Sequence, residues 1–370
     1  MSIKKSDLLI GGEIGPPSSG RYYPLHSPVD GGLVAEVADA AAADVDRAVA
    51  AAREAFYAEW KFCSVERKRA LFSKLREVLY AMADELSAAK VQPPGGVGIP
   101  PLIERVIDYY VSKLDDGAGT LIEHGDQVTN YVYKEPLGVV AIFVPFNGPM
   151  LGALLSAVPA LVAGNTIVVK APDQEAPQAL KAMQTFHEAG FPAGVVNALS
   201  GKGPEVGQAL VAHPATRLIS FTGSTATGKK IMAAAAGDLK RVQLNLGSKT
   251  AQIVFPDADL EAAVTATVGS GFPGQACSAI SRVLLHHSVR DEFIALLKEK
   301  AQAAGPSMLI DGAAIERVER YVEIGNAQGE LLFGGRRPHG AEYAQGCYFE
   351  PTAFAFADQS SRVCRDEIFG

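Results

Sequence analysis

No CxxC pair or other tight cysteine cluster occurs in this chain: its four cysteines, Cys63, Cys277, Cys347 and Cys364, lie far apart. Such spacing argues against a zinc site or a disulfide framework, so no metal is expected and a reducing, cytoplasmic setting fits best. Long apolar runs are missing too. The longest, Met150 to Ala163, is about 14 residues and contains Pro159, too short for a bilayer span. The first residues, MSIKKSDLLIGGE, hold two lysines but no continuous apolar core, so no signal peptide is expected. Basic blocks are absent as well, and a net charge of -7 with a pI near 5.6 argues against nucleic acid or an anionic membrane as partner. Apolar side chains, by contrast, make up 48% of the 370 residues, ample for the cores of the two to three domains this length suggests.

Read in order, Leu8–Glu36 is rich in Gly, Pro and Ser, which predicts a strand or two and turns on the surface. Two amphipathic helices follow. Val45, Ala48, Val49, Ala52 and Phe56 share one face; Leu71, Leu75, Val78, Leu79, Met82 and Leu86 share another, behind an N-cap at Ser64. The segment VQPPGGVGIPP, Val91 to Pro101, with three glycines and four prolines, predicts a loop. A third helix, with Leu102, Val106, Tyr110 and Leu114 in register, ends near Gly117. Val128, Tyr131 and Tyr133 in the polar stretch Gly119–Leu137 predict a projecting hairpin, equally an ordinary surface hairpin or an assembly element.

From Val139 the pattern alternates. Apolar runs at Val139–Val144, Thr166–Val169, Val195–Leu199, Arg217–Thr222 and Val242–Leu244 are separated by helix-length segments, which predicts βαβ units in a doubly wound parallel sheet of α/β class. Ligands of such sheets bind beyond the carboxyl ends of the strands. The segments there are PFNGP (Pro145–Pro149), KAPD (Lys170–Asp173), SGKG (Ser200–Gly203) and FTGSTATG (Phe221–Gly228). The last is a glycine turn opening a helix, where free N–H groups and the helix dipole favour a phosphate, although it lacks the GxGxxG spacing. A lysine such as Lys170 can approach a ribose hydroxyl or phosphate. A carboxylate such as Asp173 can accept ribose hydroxyl protons while repelling a 2′-phosphate, so NAD is expected rather than NADP.

The stretch GQACS, Gly274–Ser278, offers the clearest chemistry. Cysteine attacks carbonyls as its thiolate, and Gly274, Ala276 and Ser278 leave room around Cys277 for a substrate carbon and a backbone N–H. The competing reading is a small buried hydrophobe.

Jointly, PFNGP, PALVAGNTIVVKAPDQ, FTGSTATG, NLGSK, GQACSA with Ser281-Arg282, and the terminal EIFG resemble the NAD(P)-dependent aldehyde dehydrogenase superfamily, from about Gly11 to the last residue. That resemblance implies a Rossmann-like NAD-binding domain over residues 1–118 and 138–246, an oligomerisation hairpin over 119–137 and a second α/β catalytic domain over 247–370. It implies Cys277 as nucleophile, with Asn147 and the Cys277 backbone N–H as the oxyanion hole. Gly223, Ser224 and Gly228 would line the pyrophosphate site, Lys170 and Asp173 hold the adenosine ribose, and Glu367 hold the nicotinamide ribose with Phe369 packed beside it. Val144, Pro145, Phe146, Gly203, Phe221 and Leu246 complete the cofactor set. The implied substrate is a small-molecule aldehyde, and a homodimer or homotetramer is expected of full-length members.

Two features depart from the family pattern. Where hydrolytic members carry a glutamate opening ELGGK, this chain reads Asn245 in NLGSK, and an amide cannot act as the base that activates water. An asparagine there resembles the CoA-acylating semialdehyde branch, which makes CoA an alternative co-substrate; a silenced, merely NAD-binding copy is a third reading. The sequence also ends inside EIFG, where the family continues, and AQAAGP, Ala301–Pro306, replaces a longer family linker; a truncated catalytic domain is therefore expected. Gly148, Ala276 and Ser278 have little bulk, which predicts a roomy substrate site.

Overall fold

The computed structural model describes residues 4–91, 99–117, 119–125, 127–272 and 274–370. They fall into two compact units, one built from the residues up to Leu25 with Leu33–Leu246, the other from His26–Gly32 with Gly247–Gly370.

In the first unit the principal elements, in chain order, are β1 (Leu8–Ile10), β2 (Glu13–Gly15), α1 (Ala42–Ala58), α2 (Val65–Ala81), α3 (Ile99–Ser112), the hairpin β3 (Thr120–His124) and β4 (Val128–Val132), β5 (Val139–Phe143), α4 (Pro149–Val162), β6 (Thr166–Lys170), α5 (Ala176–Glu188), β7 (Val196–Leu199), α6 (Gln208–Ala212), β8 (Thr216–Thr222), α7 (Thr225–Ala236) and β9 (Arg241–Asn245). The central sheet runs β9-β8-β5-β6-β7-β1-β2. Its first five strands pair in parallel, as the alternating pattern predicts, each joined to the next by one helix. Period-two alternation gives each strand two buried faces: Val140, Ile142, Ile167 and Val169 pack with Leu154, Leu161 and Phe186, whereas Val139, Ala141, Val168 and Ile219 pack with Val45, Val49, Leu210 and Ile231. Helices on both faces make the sheet doubly wound, and each fully buried Val or Ile contributes about 1.5–3 kcal/mol.

Three sequence expectations change here. The strand β1 is not on the surface: Leu8 and Leu9 are buried, and β1 joins the sheet antiparallel to β7, with Leu9 opposite Ala198. Asn197 secures that join by accepting from the Gly11 N–H through its side-chain oxygen at 2.9 Å. Of the loop expected over Val91–Pro101, Val91 is a bend, residues 92–98 lie outside the described residues, and the last three are helical: α3 begins at Ile99 and includes Pro100 and Pro101 in its first turn, where a missing N–H costs nothing. The buried stripe of α3 is also rotated by one residue. Ile103 and Ile107 are buried while Leu102 is exposed.

Other expectations hold. Ser64 Oγ accepts from the Arg67 N–H at 3.2 Å, capping α2 as predicted. The hairpin β3–β4 pairs antiparallel from Thr120 opposite Val132, and Leu121, Val128, Tyr131 and Tyr133 on and beside it are exposed.

The second unit is a smaller α/β body. Strand β10 (Ala251–Val254), helix α8 (Leu260–Gly271) and strand β11 (Arg282–Leu285) form a βαβ unit with parallel strands, followed by α9 (Arg290–Ala304) and α10 (Gly312–Gln328). Val254, Val264, Val289, Phe293 and Leu297 form its core. Asp259 and Asp311 cap α8 and α10 through hydrogen bonds accepted from Ala262 and Ala314.

Candidate active site

The segment between α8 and β11 carries Cys277. A crossover from helix to strand cannot be regular, and the chain turns here through Gly274, whose φ of +66° is disfavoured for side chains other than glycine. A Cβ at Gly274 would lie 2.6 Å from the carbonyl carbon of Gly370. Gln275 fastens the turn from the other side: its amide donates to Met308 O at 3.2 Å and accepts from the Ile310 N–H at 3.1 Å. Cys277 itself is exposed. Its carbonyl accepts from Ser248 Oγ at 3.2 Å and Thr250 Oγ1 at 3.5 Å, while its own N–H has no acceptor among the described residues. Held by its carbonyl, the residue therefore presents both a thiol and a free backbone donor.

Cys277 lines a cavity of about 520 Å³ within the second unit, together with Ser248, Lys249, Arg282, Glu367 and Phe369. Glu367 Oε1 accepts from the Ser248 N–H at 3.2 Å, and a Cβ at Gly247 would meet Glu367 Oε2 at 2.8 Å. Phe369 takes a left-handed φ of +58°, a conformation secured by Arg317, which donates to Ile368 O at 2.8 Å and to Phe369 O at 3.0 Å. In the sequence Lys249 stands out only as part of NLGSK. Burial, reinforced by the Arg282 guanidinium, lowers its pKa to about 8 although Cys364, Asp366 and Glu367 oppose that shift. No sequence signal marks this, because burial and the approach of Arg282 arise only in the folded unit.

The first unit gathers its candidate residues at the carboxyl ends of the parallel strands. Beyond β5, the Val144 N–H donates to Lys170 O at 3.2 Å, and Pro145, Phe146 and Asn147 lead into α4. The N-cap of α4 is Gly148, with no side-chain cap, so the Asn147 amide is not engaged in capping and has no partner among the described residues. Beyond β6, the buried Lys170 ammonium pairs with the Asp173 carboxylate. Tyr23 donates to Asp173 O at 3.1 Å, and burial with the neighbouring Asp173 charge raises its phenol pKa. Beyond β7, a Cβ at Gly203 would meet nothing within 4 Å, leaving the backbone open to a ligand. Beyond β8, Ser224 caps α7 by accepting from the Thr227 N–H at 3.3 Å. Phe221 packs edge-on to Phe143 at 6.0 Å, and a Cβ at Gly223 would lie 2.6 Å from its ring. The Gly223 N–H donates to Asn245 O at 3.1 Å, which ties the turn to the end of β9. A Cβ at Gly228 would lie 2.5 Å from Leu246 Cδ2, so a side chain there would have to displace the end of Leu246. The Asn245 side chain is exposed and makes no hydrogen bond among the described residues.

These residues suit a dinucleotide. An open glycine backbone and the N-terminus of the 12-residue helix α7 can accept a phosphate, and an adjacent lysine and carboxylate can bond hydroxyl groups. Among the described residues there is no cluster of His, Cys, Asp or Glu that could hold a metal, and no helix is long and apolar enough to cross a membrane.

Comparison with known proteins gives one result throughout. Residues 16–370 match the model of the aldehyde dehydrogenase family. The chain is 36% identical to the hydroxyisobutyraldehyde dehydrogenase of Mycolicibacterium austroafricanum over 98% of its own length and 75% of that protein's. It is 35% identical to the NADP/NAD-dependent aldehyde dehydrogenase PuuC of Escherichia coli, over 98% and 77% of the two chains. Among solved structures, the betaine aldehyde dehydrogenase of Staphylococcus aureus in complex with NAD+ superposes with a TM-score of 0.92 at 29% identity, covering 99% of this chain and 76% of that one. The chain thus spans about three quarters of the relatives it matches.

Proposed function

We propose, from the premise that this chain belongs to the aldehyde dehydrogenase family, that it oxidises an aldehyde with NAD through a thioester on Cys277. The observation that carries this reading is the setting of Cys277: exposed, held by its carbonyl, with a free backbone N–H, and lining a cavity with Glu367 and Phe369.

In this reading the Cys277 thiolate attacks the aldehyde carbon and the carbonyl oxygen becomes an oxyanion. The Cys277 N–H and the Asn147 amide serve as its donors, each worth about 2.7–4 kcal/mol in comparable sites. A neutral amide suits that task because it stabilises the oxyanion without neutralising the thiolate. NAD, when bound, supplies the hydride acceptor. Gly223, Ser224 and Gly228 serve its pyrophosphate, Lys170 and Asp173 its adenosine ribose, and Glu367 its nicotinamide ribose, with Val144, Pro145, Phe146, Gly203, Phe221, Leu246 and Phe369 around it. Residues 1–118 and 138–246 then act as the NAD-binding domain, 247–370 as the catalytic domain and the exposed hairpin over 119–137 as an oligomerisation element.

Acyl release is the step that Asn245 alters. Its amide has no basic lone pair with which to deprotonate water, and a general base typically supplies roughly 10²–10⁴ in rate. A second reading follows, in which the thiol of CoA, which needs no such base, takes the acyl group. The test is NADH formation with an aldehyde panel, with and without CoA. Steady turnover without CoA supports water as acceptor; a stoichiometric burst relieved by CoA supports the thiol. Absence of NADH, whether as a burst or as steady turnover, overturns both.

A further inference from the structure

The amine of Lys249 has no part in the chemistry above, yet it lines the same cavity as Cys277. Among the described residues its Nζ makes neither an ion pair nor a hydrogen bond. The two carboxylates nearby are engaged elsewhere. Asp366 accepts from Tyr321 Oη at 3.0 Å and from Arg362 Nε at 2.9 Å, and Glu367 accepts from the Ser248 N–H. The nearby Arg282 guanidinium repels a second positive charge, and its Nε is itself buried without a partner among the described residues. A half-buried amine in these surroundings favours its neutral, nucleophilic form, and its pKa of about 8 contrasts with an ordinary lysine near 10.4. Near neutral pH that difference gives roughly a hundredfold more free amine.

We infer that Lys249 is a second site of aldehyde capture, binding the carbonyl carbon reversibly as an imine inside the cavity that Cys277 also lines. The Nζ lone pair forms the new C–N bond, the carbonyl oxygen gains protons and leaves as water, and hydrolysis returns the free amine and the aldehyde. An aldehyde held on Lys249 takes up part of the cavity that Cys277 also lines, so the capture acts as a brake at high aldehyde concentration. It draws on the same class of carbonyl as the proposed oxidation but uses neither NAD nor the thiol, so each succeeds or fails separately.

The experiment is reductive trapping on the unmodified protein without NAD. Propanal and cyanoborohydride convert an imine to a stable secondary amine, whereas a thiohemiacetal on Cys277 is left unmarked; peptide mass spectrometry then gives the labelling rate of each lysine. Lys249 is expected to label at least about tenfold faster than the exposed Lys229 and Lys230, with a rate that rises through about pH 8 as the ammonium loses its proton. Labelling of Lys249 no faster than those two, or a rate that keeps climbing to pH 10 without levelling, overturns the proposal. Lys249→Arg removes the mark if it is correctly mapped; persistence of the same labelled peptide would show the assignment to be wrong.

Discussion

The backbone N–H of Ser248 donates to Glu367 Oε1 at 3.2 Å, and Ser248 Oγ donates to the carbonyl of Cys277 at 3.2 Å, so one residue orients both a carboxylate and the nucleophile's backbone. Glu367→Gln keeps an acceptor for the Ser248 N–H but loses the charge; Glu367→Ala loses both. A hydrogen bond to a charged group is worth about 1.5–3 kcal/mol. If Glu367 holds a ribose hydroxyl, Glu367→Ala raises the apparent KM for NAD by roughly 10- to 100-fold, with a smaller rise for Glu367→Gln. Unchanged NAD kinetics in both variants would remove Glu367 from the cofactor site.

Two glycines of the second unit should respond in opposite directions to alanine. Gly274 has φ +66° and a Cβ there would come 2.6 Å from the Gly370 backbone, whereas Gly269 lies in α8 with nothing within 4 Å of its Cβ. Gly274→Ala is expected to cost about 1–3 kcal/mol of unfolding free energy. Gly269→Ala is expected to gain about 0.5–1 kcal/mol from helix propensity. Urea titration reads both, and equal shifts in the two variants would show that the Gly274 turn is not strained by a side chain.

That contrast also marks the boundary of what was legible in the sequence. The five parallel strands were readable because residues such as Val139–Ile142 are buried on both faces and so appear as uninterrupted apolar runs. The motif residues at the strand ends were readable for the same reason, since the sheet itself dictates where they lie. A strand over Leu8–Ile10 is legible but its burial is not, because three apolar residues ahead of a Gly-Gly turn carry no period, and its place beside β7 depends on a contact with Asn197 far along the chain. The start of α3 is not legible because prolines read as helix breakers, although a first turn tolerates them. The small size of Gly274 is legible, but the approach of Gly370 and the half-buried amine of Lys249 arise only from packing within the folded unit.

The four thiols should separate by reactivity. Burial raises the pKa of Cys63, Cys347 and Cys364, so each is more fully protonated near neutral pH, whereas Cys277 is exposed. Iodoacetamide at neutral pH is expected to alkylate Cys277 first, by about tenfold over the others, and activity should disappear in step with that single modification. Raising the pH shifts the other three toward thiolate and narrows the gap. Prior alkylation of Cys63 or Cys347 with activity lost in parallel would contradict the assignment of the nucleophile.

Asn245 decides between water and a thiol as the acyl acceptor, and its surroundings make it open to substitution. The residue ends β9, its side chain is exposed, and its backbone carbonyl, which takes the Gly223 N–H at 3.1 Å, is unaffected by a change of side chain. Asn245→Glu should therefore fold normally while restoring a carboxylate where the hydrolytic pattern has one. If the missing base limits hydrolysis, turnover without CoA rises by at least about tenfold, toward the 10²–10⁴ typical of general-base catalysis, and the stimulation by CoA shrinks accordingly. The gain should titrate with a carboxylate, present above its pKa and lost as pH falls through it, because only the ionised form accepts a proton from water. A pre-steady-state burst that was stoichiometric in the parent protein should merge into steady turnover. If turnover does not rise while the burst remains, water is not excluded by the lack of a base, and acyl release is governed by another part of the site.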